Sequence, residues 1–510
     1  MHWGTIVRNV FSNWASYLVS AVVGFLLSPF ILHRLGNTGY GLWTLVLSLT
    51  GYFGLLDLGI RSSVGRFVAR YVTLHDEENV NRTVSSAFAL LAAGGVLALL
   101  VTAVIERYFF GSFHVDPEYQ TSGRTALWIT GMNMASVLPL SVFSAVLIAL
   151  ERYDVLSGVT IVVELTRAAL VVFCLKQGYG LVGLALVALV IIVGQYSALA
   201  LLAKSLYRPL RLRFRYVNRE TIRGLFGFGI YRFIWIISNQ VIFYSDSVVI
   251  AVVLGASAIT PYAIAGTLIN YGRNVVSLVT DTFAPSAIRM DARKDLPGLR
   301  RLLIIGTRMT LLIVLPVCVG FIFLGRQFIT LWMGKPYASS AVYLTVLTLA
   351  QFSSMPQYVS VNVLSGMAKH RMLAYLVFAE GLANLTLSII LIRKIGLVGV
   401  AWGTVIPNSI CTMLIVPLYT LRILKLSWKE YLAGAFLRPV VCAVPLAGIG
   451  ALCYLYVDRP SWLVFASEVL LMCAAFGITS FFLCFDASHR TAARDKVWSL
   501  LHRELSVHEA

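Results

Sequence analysis

Long apolar runs separated by short polar segments follow one another along almost the whole chain. A transmembrane helix needs about 20 mostly apolar residues, and runs of this length recur many times. The pattern predicts an all-α integral membrane protein with about fourteen spans. They are expected near 10–33, 40–60, 83–105, 125–150, 155–175, 180–203, 225–254, 259–286, 302–325, 340–365, 372–393, 397–421, 432–457 and 461–485.

An internal repeat relates the two halves of the chain. The motif Gly-Leu-Val-Gly at 180–183 recurs at 396–399, a shift of 216, and the same shift places Glu164 on Glu380. Leu-Gly at 35–36 recurs at 254–255, a shift of 219. Spans 1–6 and 7–12 are therefore predicted to be copies of one six-helix unit. An even number of spans per copy makes the repeat parallel, about an axis along the membrane normal.

The repeat predicts the domain organisation. We expect two pseudo-symmetric six-helix lobes joined by a basic cytoplasmic linker, followed by two extra helices and a cytoplasmic tail. The boundaries are 1–203 for the first lobe, 204–224 for the linker, 225–421 for the second lobe and 422–510 for the remainder.

Composition and charge placement agree with a membrane protein. The chain is 58% hydrophobic and 13% charged, with mean hydropathy +0.82 and a net charge of +18. With the N-terminus in the cytoplasm, 28 Lys and Arg residues fall on the cytoplasmic side, nine outside and four within spans. This asymmetry predicts an inner-membrane protein with both termini cytoplasmic. It explains the basic charge without nucleic acid.

The N-terminus leads directly into a long apolar run, which is expected to be a first span and not a cleaved signal peptide. Seven cysteines lie within apolar runs and form no CxxC pair, so neither a metal site nor a disulfide framework is predicted. The sequence offers no phosphate-binding loop and no Ser-His-Asp constellation, so we expect neither an enzyme nor a cofactor.

Polar side chains follow one face of several predicted spans. A charge within the bilayer costs at least about 2.5–3.5 kcal/mol, so such groups usually face a cavity or a partner. The stripes are Asn9, Asn13, Ser16 and Ser20 in span 1; Thr50, Asp57 and Arg61 in span 2; Arg232, Asn239 and Asp246 in span 7; and Asn270, Arg273, Asn274, Ser277 and Asp281 in span 8. They are consistent with a shared cleft between lobes, or with polar contacts that hold helices together.

Two kinds of role follow for these residues. Candidate substrate-binding residues are Arg232, Arg273, Asn239, Asn270 and Asn274, because neither arginine has a carboxylate three or four residues away in its own helix. Candidate ion-coupling or gating residues are Asp246, Asp281, Glu380, Asp57, Arg61, Glu164 and Arg167. Among these, Asp57 with Arg61 and Glu164 with Arg167 have the spacing of ion pairs within one helix.

Two segments resemble a known family. The stretch from Leu35-Gly36 through Tyr40-Gly41 to Gly51-Tyr52 and Asp57-Leu-Gly59 is similar to the first two spans of polysaccharide-export flippases. The stretch from Asn239-Gln240 through Tyr244 and Asp246 to Leu254-Gly255 resembles their seventh span. The whole chain resembles the multidrug/oligosaccharidyl-lipid/polysaccharide flippase superfamily over nearly its full length.

The resemblance implies a substrate and a mechanism. The substrate is an oligosaccharide on undecaprenyl diphosphate, an O-antigen, capsule or exopolysaccharide unit, flipped to the periplasmic leaflet by alternating access. Its implied partners are this lipid-linked oligosaccharide, membrane lipids and a proton or sodium gradient. Two alternatives stay open, a multidrug or cation antiporter of the same superfamily and a membrane glycosyltransferase or polymerase. The four arginines within spans disfavour the first, and the short outer loops disfavour the second.

Overall fold

The computed structural model describes residues 3–226, 230–457 and 461–484, and every secondary-structure element within these ranges is helical. We number the α-helices in chain order. They are α1 (Trp3–Gly51), α2 (Ile60–Thr73), α3 (Glu77–Val104), α4 (Pro117–Ala149), α5 (Tyr153–Lys176), α6 (Gly180–Leu206), α7 (Arg219–Phe226), α8 (Ile230–Leu254), α9 (Ile259–Thr280), α10 (Ala284–Ala292), α11 (Leu296–Phe323), α12 (Gly325–Trp332), α13 (Ser340–Ser354), α14 (Tyr358–Gly366), α15 (His370–Ile395), α16 (Leu397–Ile410), α17 (Val416–Leu424), α18 (Trp428–Tyr431), α19 (Arg438–Tyr456) and α20 (Trp462–Cys484).

Eleven helices of the described chain are long and apolar enough to cross a membrane, which agrees with a multi-pass membrane protein. Helix α1 runs without a loop through the first predicted span and into the second as far as Gly51, and its helical geometry breaks at Gly36 (φ 71°, ψ −179°). A 3-10 turn at Tyr52–Asp57 follows within the second predicted span. The eighth predicted span is the polar helix α9, and the tenth is divided between α13 and α14 by a 3-10 turn at Met355–Gln357. The count of fourteen spans stays a prediction.

Packing divides the chain into two compact units. Unit 1 comprises the described residues up to Ala263 together with Ala374–Gly403, and unit 2 comprises Ile264–Leu373 and the described residues from Thr404 onward. In unit 1, α4 packs against α3 and α6, α5 packs against α1 and α6, and a core around Val64, Val84 and Val142 joins α2, α3 and α4. The predicted division into six-helix lobes stays a prediction.

Unit 2 is organised around α11. One core, which includes Leu303, Val363 and Tyr431, joins this helix to α14 and α18. A second core, with Leu311 and Met472, packs α19 and α20 against it. The last two helices are therefore an integral part of unit 2, because they cover one side of α11 and bury its apolar side chains there.

Candidate transport site

The two segments that carry the family resemblance contact each other within unit 1. Thr260 Oγ1 donates a hydrogen bond to the carbonyl oxygen of Asn37 at 2.7 Å, and Asn37 Nδ2 donates to the carbonyl oxygen of Ser257 at 3.2 Å. A Cβ atom at Gly41 would overlap the carbonyl oxygen of Ala256. The missing side chain at Gly41 therefore lets α1 approach the turn between α8 and α9.

The same interface continues towards the middle of α8. A Cβ at Gly51 would lie 2.5 Å from the ring of Tyr244, and a Cβ at Gly54 would lie 2.9 Å from Gln240 Nε2. The Tyr52 and Tyr244 rings lie 5.8 Å apart, centroid to centroid. These motif residues pack α1 and its following 3-10 turn, Tyr52–Asp57, against α8.

Asp246 lies in a buried group of oxygen atoms. Its side chain is 6% exposed. The Tyr262 hydroxyl donates to Oδ2 at 2.6 Å, and Ser388 Oγ lies 3.5 Å from Oδ1 and 3.4 Å from the carbonyl oxygen of Val400. A carboxylate, two hydroxyls and a backbone carbonyl thus lie close together. We call Asp246, Tyr262, Ser388 and Val400 the oxygen cluster.

Helix α15 presents a polar stripe to α8. Glu380, Asn384 and Ser388 follow one another at intervals of four residues, and all three are buried. Ser245 Oγ lies 3.5 Å from Asn384 Oδ1. Helix α16 also approaches α15 closely at Ser388, because a Cβ at Gly403 of α16 would overlap Ser388 Oγ.

The sequence pointed to Asp246 and Glu380, and it missed Tyr262, Asn384 and Ser388. The spacing of four residues from Glu380 to Asn384 to Ser388 was the available signal. Asn239, also predicted, is half-buried on α8. The side chains of Asn9, Asn13 and Arg232 lie outside the described residues, so the structure does not place these predicted groups.

The predicted stripe of α9 is open on one side. Asn270, Asn274 and Asp281 are exposed, and Arg273 is half-buried. Arg273 Nε donates to the Tyr358 hydroxyl at 3.2 Å, and both residues belong to unit 2. The tyrosine hydroxyl is one group that holds the guanidinium in place. A cationic group among exposed amides suits an anionic, hydroxyl-rich ligand.

The other predicted charges have local partners. Arg167 Nε donates to Glu164 Oε2 at 3.0 Å, so these two residues of α5 form the ion pair that their spacing predicts. The Arg61 backbone N–H donates to Asp57 Oδ1 at 3.3 Å, which places Asp57 at the start of α2. This contact uses the backbone of Arg61, and its guanidinium is exposed.

Arg308 differs from Arg273 in its surroundings. Its Nε and one terminal nitrogen both donate to the carbonyl oxygen of Gly434, at 2.9 and 2.6 Å. Gly434 lies in a π-helical turn, Leu432–Leu437, that precedes α19. In such a turn the helical hydrogen-bond ladder is irregular, so the arginine supplies donors that join α11 to this turn.

An apolar groove of about 870 Å³ lies on unit 1 between α3, α4 and α6. A Cβ at Gly194 would meet no atom within 4 Å, so this glycine leaves open space. Ser136 is the single polar side chain among the lining residues. The groove lies at the middle of three helices that are long enough to cross a membrane. Its composition suits a hydrocarbon chain. Among the described residues, no group of three or more His, Cys, Asp or Glu is placed to hold a metal ion.

Comparison with known proteins gives related sequences and a shared fold. The family described as Polysaccharide biosynthesis protein matches residues 6–286. A putative O-antigen transporter of Shigella flexneri is 22% identical over 433 residues, which cover 82% of this chain and 98% of that protein. The relatives found are described as transport or membrane proteins.

Two solved structures share the fold at 15% sequence identity each. The lipid II flippase MurJ in an inward closed conformation has a TM-score of 0.72 and covers 93% of this chain and 98% of its own. A multidrug resistance MATE family transporter of the MOP superfamily, in an inward-facing conformation, has a TM-score of 0.68 and covers 80% of this chain and 94% of its own.

Proposed function

The chain belongs to the family of polysaccharide biosynthesis proteins, and from this membership we propose that it is a flippase for lipid-linked oligosaccharide. The proposed substrate is an O-antigen, capsule or exopolysaccharide unit on undecaprenyl diphosphate. The protein moves it from the cytoplasmic to the periplasmic leaflet of the inner membrane by alternating access.

The family match over residues 6–286 carries this proposal. The fold comparison supports it, because the lipid II flippase covers 93% of the chain and the multidrug transporter covers 80%. Helices α19 and α20 are packed into a core of unit 2, so we propose that they belong to the transporter and are not peripheral additions to it.

Substrate binding is assigned to the polar stripe of α9, with Arg232 and Asn239 of α8 as further candidates. A diphosphate cannot enter hydrocarbon without compensating charge or hydrogen bonds. Arg273 offers a guanidinium held by Tyr358, and the neighbouring exposed amides of Asn270 and Asn274 suit sugar hydroxyls. The lipid tail needs no polar path and stays in the bilayer.

Energy coupling is assigned to the oxygen cluster. One carboxylate with neutral hydroxyl and carbonyl oxygens suits a proton or a monovalent cation such as Na⁺, since a single negative charge balances a single positive one. Asp246 is the charged member, and its partners come from α9, α15 and α16. Binding at this position would therefore change the contacts among four helices.

The remaining charged candidates receive secondary roles in this scheme. Glu380 lies on the same stripe of α15 as Ser388 and is a second candidate for proton or ion coupling. Asp281, exposed at the end of α9, is a candidate for gating. Asp57 with Arg61, and Glu164 with Arg167, are proposed to act in gating through the helix ends and helix faces that they hold.

Deletion of the gene in its host tests the function. We expect the intact, unpolymerised oligosaccharide-lipid to accumulate on the cytoplasmic leaflet and surface polysaccharide to be lost. A plasmid copy of the wild-type gene should reverse both effects. Normal surface polysaccharide in the deletion strain would contradict the proposal.

A multidrug antiporter is the second candidate, and the fold shared with the multidrug resistance transporter favours it. This function predicts that the deletion strain becomes sensitive to cationic drugs while its polysaccharide stays unchanged. The same strain therefore separates the two functions, provided that drug sensitivity and lipid-linked intermediates are measured together.

A further inference from the structure

The linker between α6 and α8 carries a dense set of exposed basic side chains. Within residues 204–223 there are seven basic residues and one acidic residue, Glu220. All seven basic residues are exposed: Lys204, Arg208, Arg211, Arg213, Arg215, Arg219 and Arg223. A topological signal requires only that such charges be present on one side of the membrane. The structure also gives them a fixed arrangement.

Buried polar residues of α3 hold the backbone of this linker. Asn81, which is 4% exposed, accepts from the Arg211 N–H at 2.7 Å and donates to the carbonyl oxygen of Pro209 at 3.1 Å. Ser85 accepts from the Arg213 N–H at 3.3 Å. Because Asn81 and Ser85 lie in the first turns of α3, the linker lies across the end of this helix.

The arginines act together on their surroundings. The pKa of the Tyr216 hydroxyl is lowered, first by its hydrogen bond with Arg215 and then by the positive charges of Arg215, Arg213 and Arg211. Of the acidic residues around the start of α3, Glu78 pairs with Arg82 at 2.6 Å, and the charges of Glu77 and Asp76 act on Tyr207, at the other end of the segment. A positive potential is therefore concentrated around residues 211–216.

Large apolar side chains alternate with these arginines and are also exposed. Phe214 is 91% exposed and Leu212 is 43% exposed. Leu206, at the end of α6, is 40% exposed. Apolar groups interleaved with cations are typical of surfaces that lie in the headgroup region of a membrane, where apolar side chains enter the acyl boundary and charges meet phosphates.

We propose that residues 204–216 form a preorganised binding surface for the headgroups of anionic phospholipids in the leaflet at this end of α3 and α6. The guanidinium groups of Arg211, Arg213 and Arg215 bind the phosphodiester oxygens, and Leu212 and Phe214 insert beside the acyl chains. The hydrogen bonds from α3 hold the backbone in place, so little conformational entropy is lost on binding. This surface shares no residue with the proposed transport site and does not depend on the substrate.

Lipid titration of the purified full-length protein in neutral detergent tests the proposal. Phosphatidylglycerol and phosphatidylcholine with identical acyl chains are compared by the lipid concentration that raises the Tm half-way to its maximum. Phosphatidylglycerol should act at much lower concentration, and added salt should weaken its effect. In the triple variant R211Q/R213Q/R215Q, we expect the half-maximal concentration to rise by about a hundred-fold, from the usual contribution of each basic residue at an anionic surface.

Two further variants show whether a weaker response to phosphatidylglycerol comes from the loss of these particular arginines or from the loss of positive charge in general. R289Q/R293Q/K294Q removes the same charge from exposed residues at the C-terminal end of α10 and should respond to phosphatidylglycerol as the wild type does. R211K/R213K/R215K keeps the charge and should retain most of the response. The proposal is wrong if the two lipids act equally on the wild type, or if the control triple variant loses as much response as the linker variant. Equal Tm values of all variants without lipid would show that they fold alike.

Discussion

Two arginines of unit 2, both in predicted spans, have different kinds of partner. Arg308 gives two hydrogen bonds to one backbone carbonyl, that of Gly434, and thereby joins α11 to the turn before α19. Arg273 contacts a tyrosine hydroxyl, beside the exposed Asn274. In the sequence the two look alike, because each is an isolated charge in an apolar run. Their different partners predict different consequences of the same substitution.

Replacing each arginine by glutamine separates structure from function. Arg308→Gln removes charge-assisted hydrogen bonds and should lower the free energy of unfolding by about 2 kcal/mol, visible as a lower Tm in detergent. Arg273→Gln should lower the Tm less than Arg308→Gln does, because its contact with Tyr358 is one hydrogen bond and not two, and should reduce flipping of lipid-linked oligosaccharide at least about ten-fold. If Arg273→Gln flips at the full rate with normal expression, the substrate-binding role of Arg273 is wrong.

Asp246 permits a second test at the level of single atoms. Asp246→Asn keeps the size of the side chain and removes its charge, so transport should lose its dependence on a proton or Na⁺ gradient and slow by about ten-fold or more. Tyr262→Phe is the comparison variant, because it removes a neutral hydroxyl of the oxygen cluster and keeps the Asp246 carboxylate. It should preserve the gradient dependence. The measurement is flipping in proteoliposomes with each gradient imposed in turn, and unchanged gradient dependence in Asp246→Asn would contradict the coupling role.

Among the polar side chains that cluster between α8 and α15, the sequence analysis singled out the charged ones and missed the neutral ones. Asp246 and Glu380 stand out because a carboxylate in an apolar run is costly and therefore informative. Ser388 and Asn384 do not stand out, since serine and asparagine are common between packed helices. Their part in the cluster depends on which faces of α8 and α15 meet, and this is a property of tertiary packing.

At the scale of elements, close contact between α1 and the α8–α9 turn depends on glycine. Gly41→Val should force the backbone away from Ala256 and cost about 1–3 kcal/mol or more, since the obstacle is a backbone carbonyl that cannot rotate aside. Gly320→Ala in α11, where a Cβ meets no atom within 4 Å, should leave the Tm unchanged or raise it. Thermal unfolding in one detergent compares the two variants with the wild type. A Gly41→Val protein as stable as Gly320→Ala would show that this contact contributes little.

Most helices could be predicted from apolar length, and the irregular elements could not. The ends of α5, α6 and α20 lie within a few residues of the predicted spans. The 3-10 turn at Met355–Gln357 and the π-helical turn at Leu432–Leu437 depend on local backbone hydrogen bonding that hydropathy does not encode. One backbone feature agrees with the predicted repeat. Gly36 and Gly255, which the shift of 219 aligns, both have a positive φ and a ψ near 180°.

At the scale of the whole molecule, orientation in the membrane comes from charge and not from the fold. The chain places 28 basic residues on the predicted cytoplasmic side and nine outside. The basic linker lies at the start of α3, and Glu118, in the first turn of α4, follows the other end of the same helix. Helix α3 has 28 residues, so it is about 42 Å long, enough to separate these two points by a bilayer.

Cysteine labelling in intact cells tests this orientation. In a variant without the seven native cysteines, Glu118→Cys should react with a membrane-impermeant maleimide from outside, because Glu118 is exposed on the predicted outer side. Arg219→Cys, an exposed position of the basic linker outside the proposed lipid-binding surface, should react only after the membrane is permeabilised, because its side is predicted to be cytoplasmic. Labelling of Arg219→Cys in intact cells would reverse the topology. The proposed phospholipid surface would then face the periplasmic leaflet. In the proposed transport cycle, the cytoplasmic and periplasmic sides of the protein would have to be exchanged.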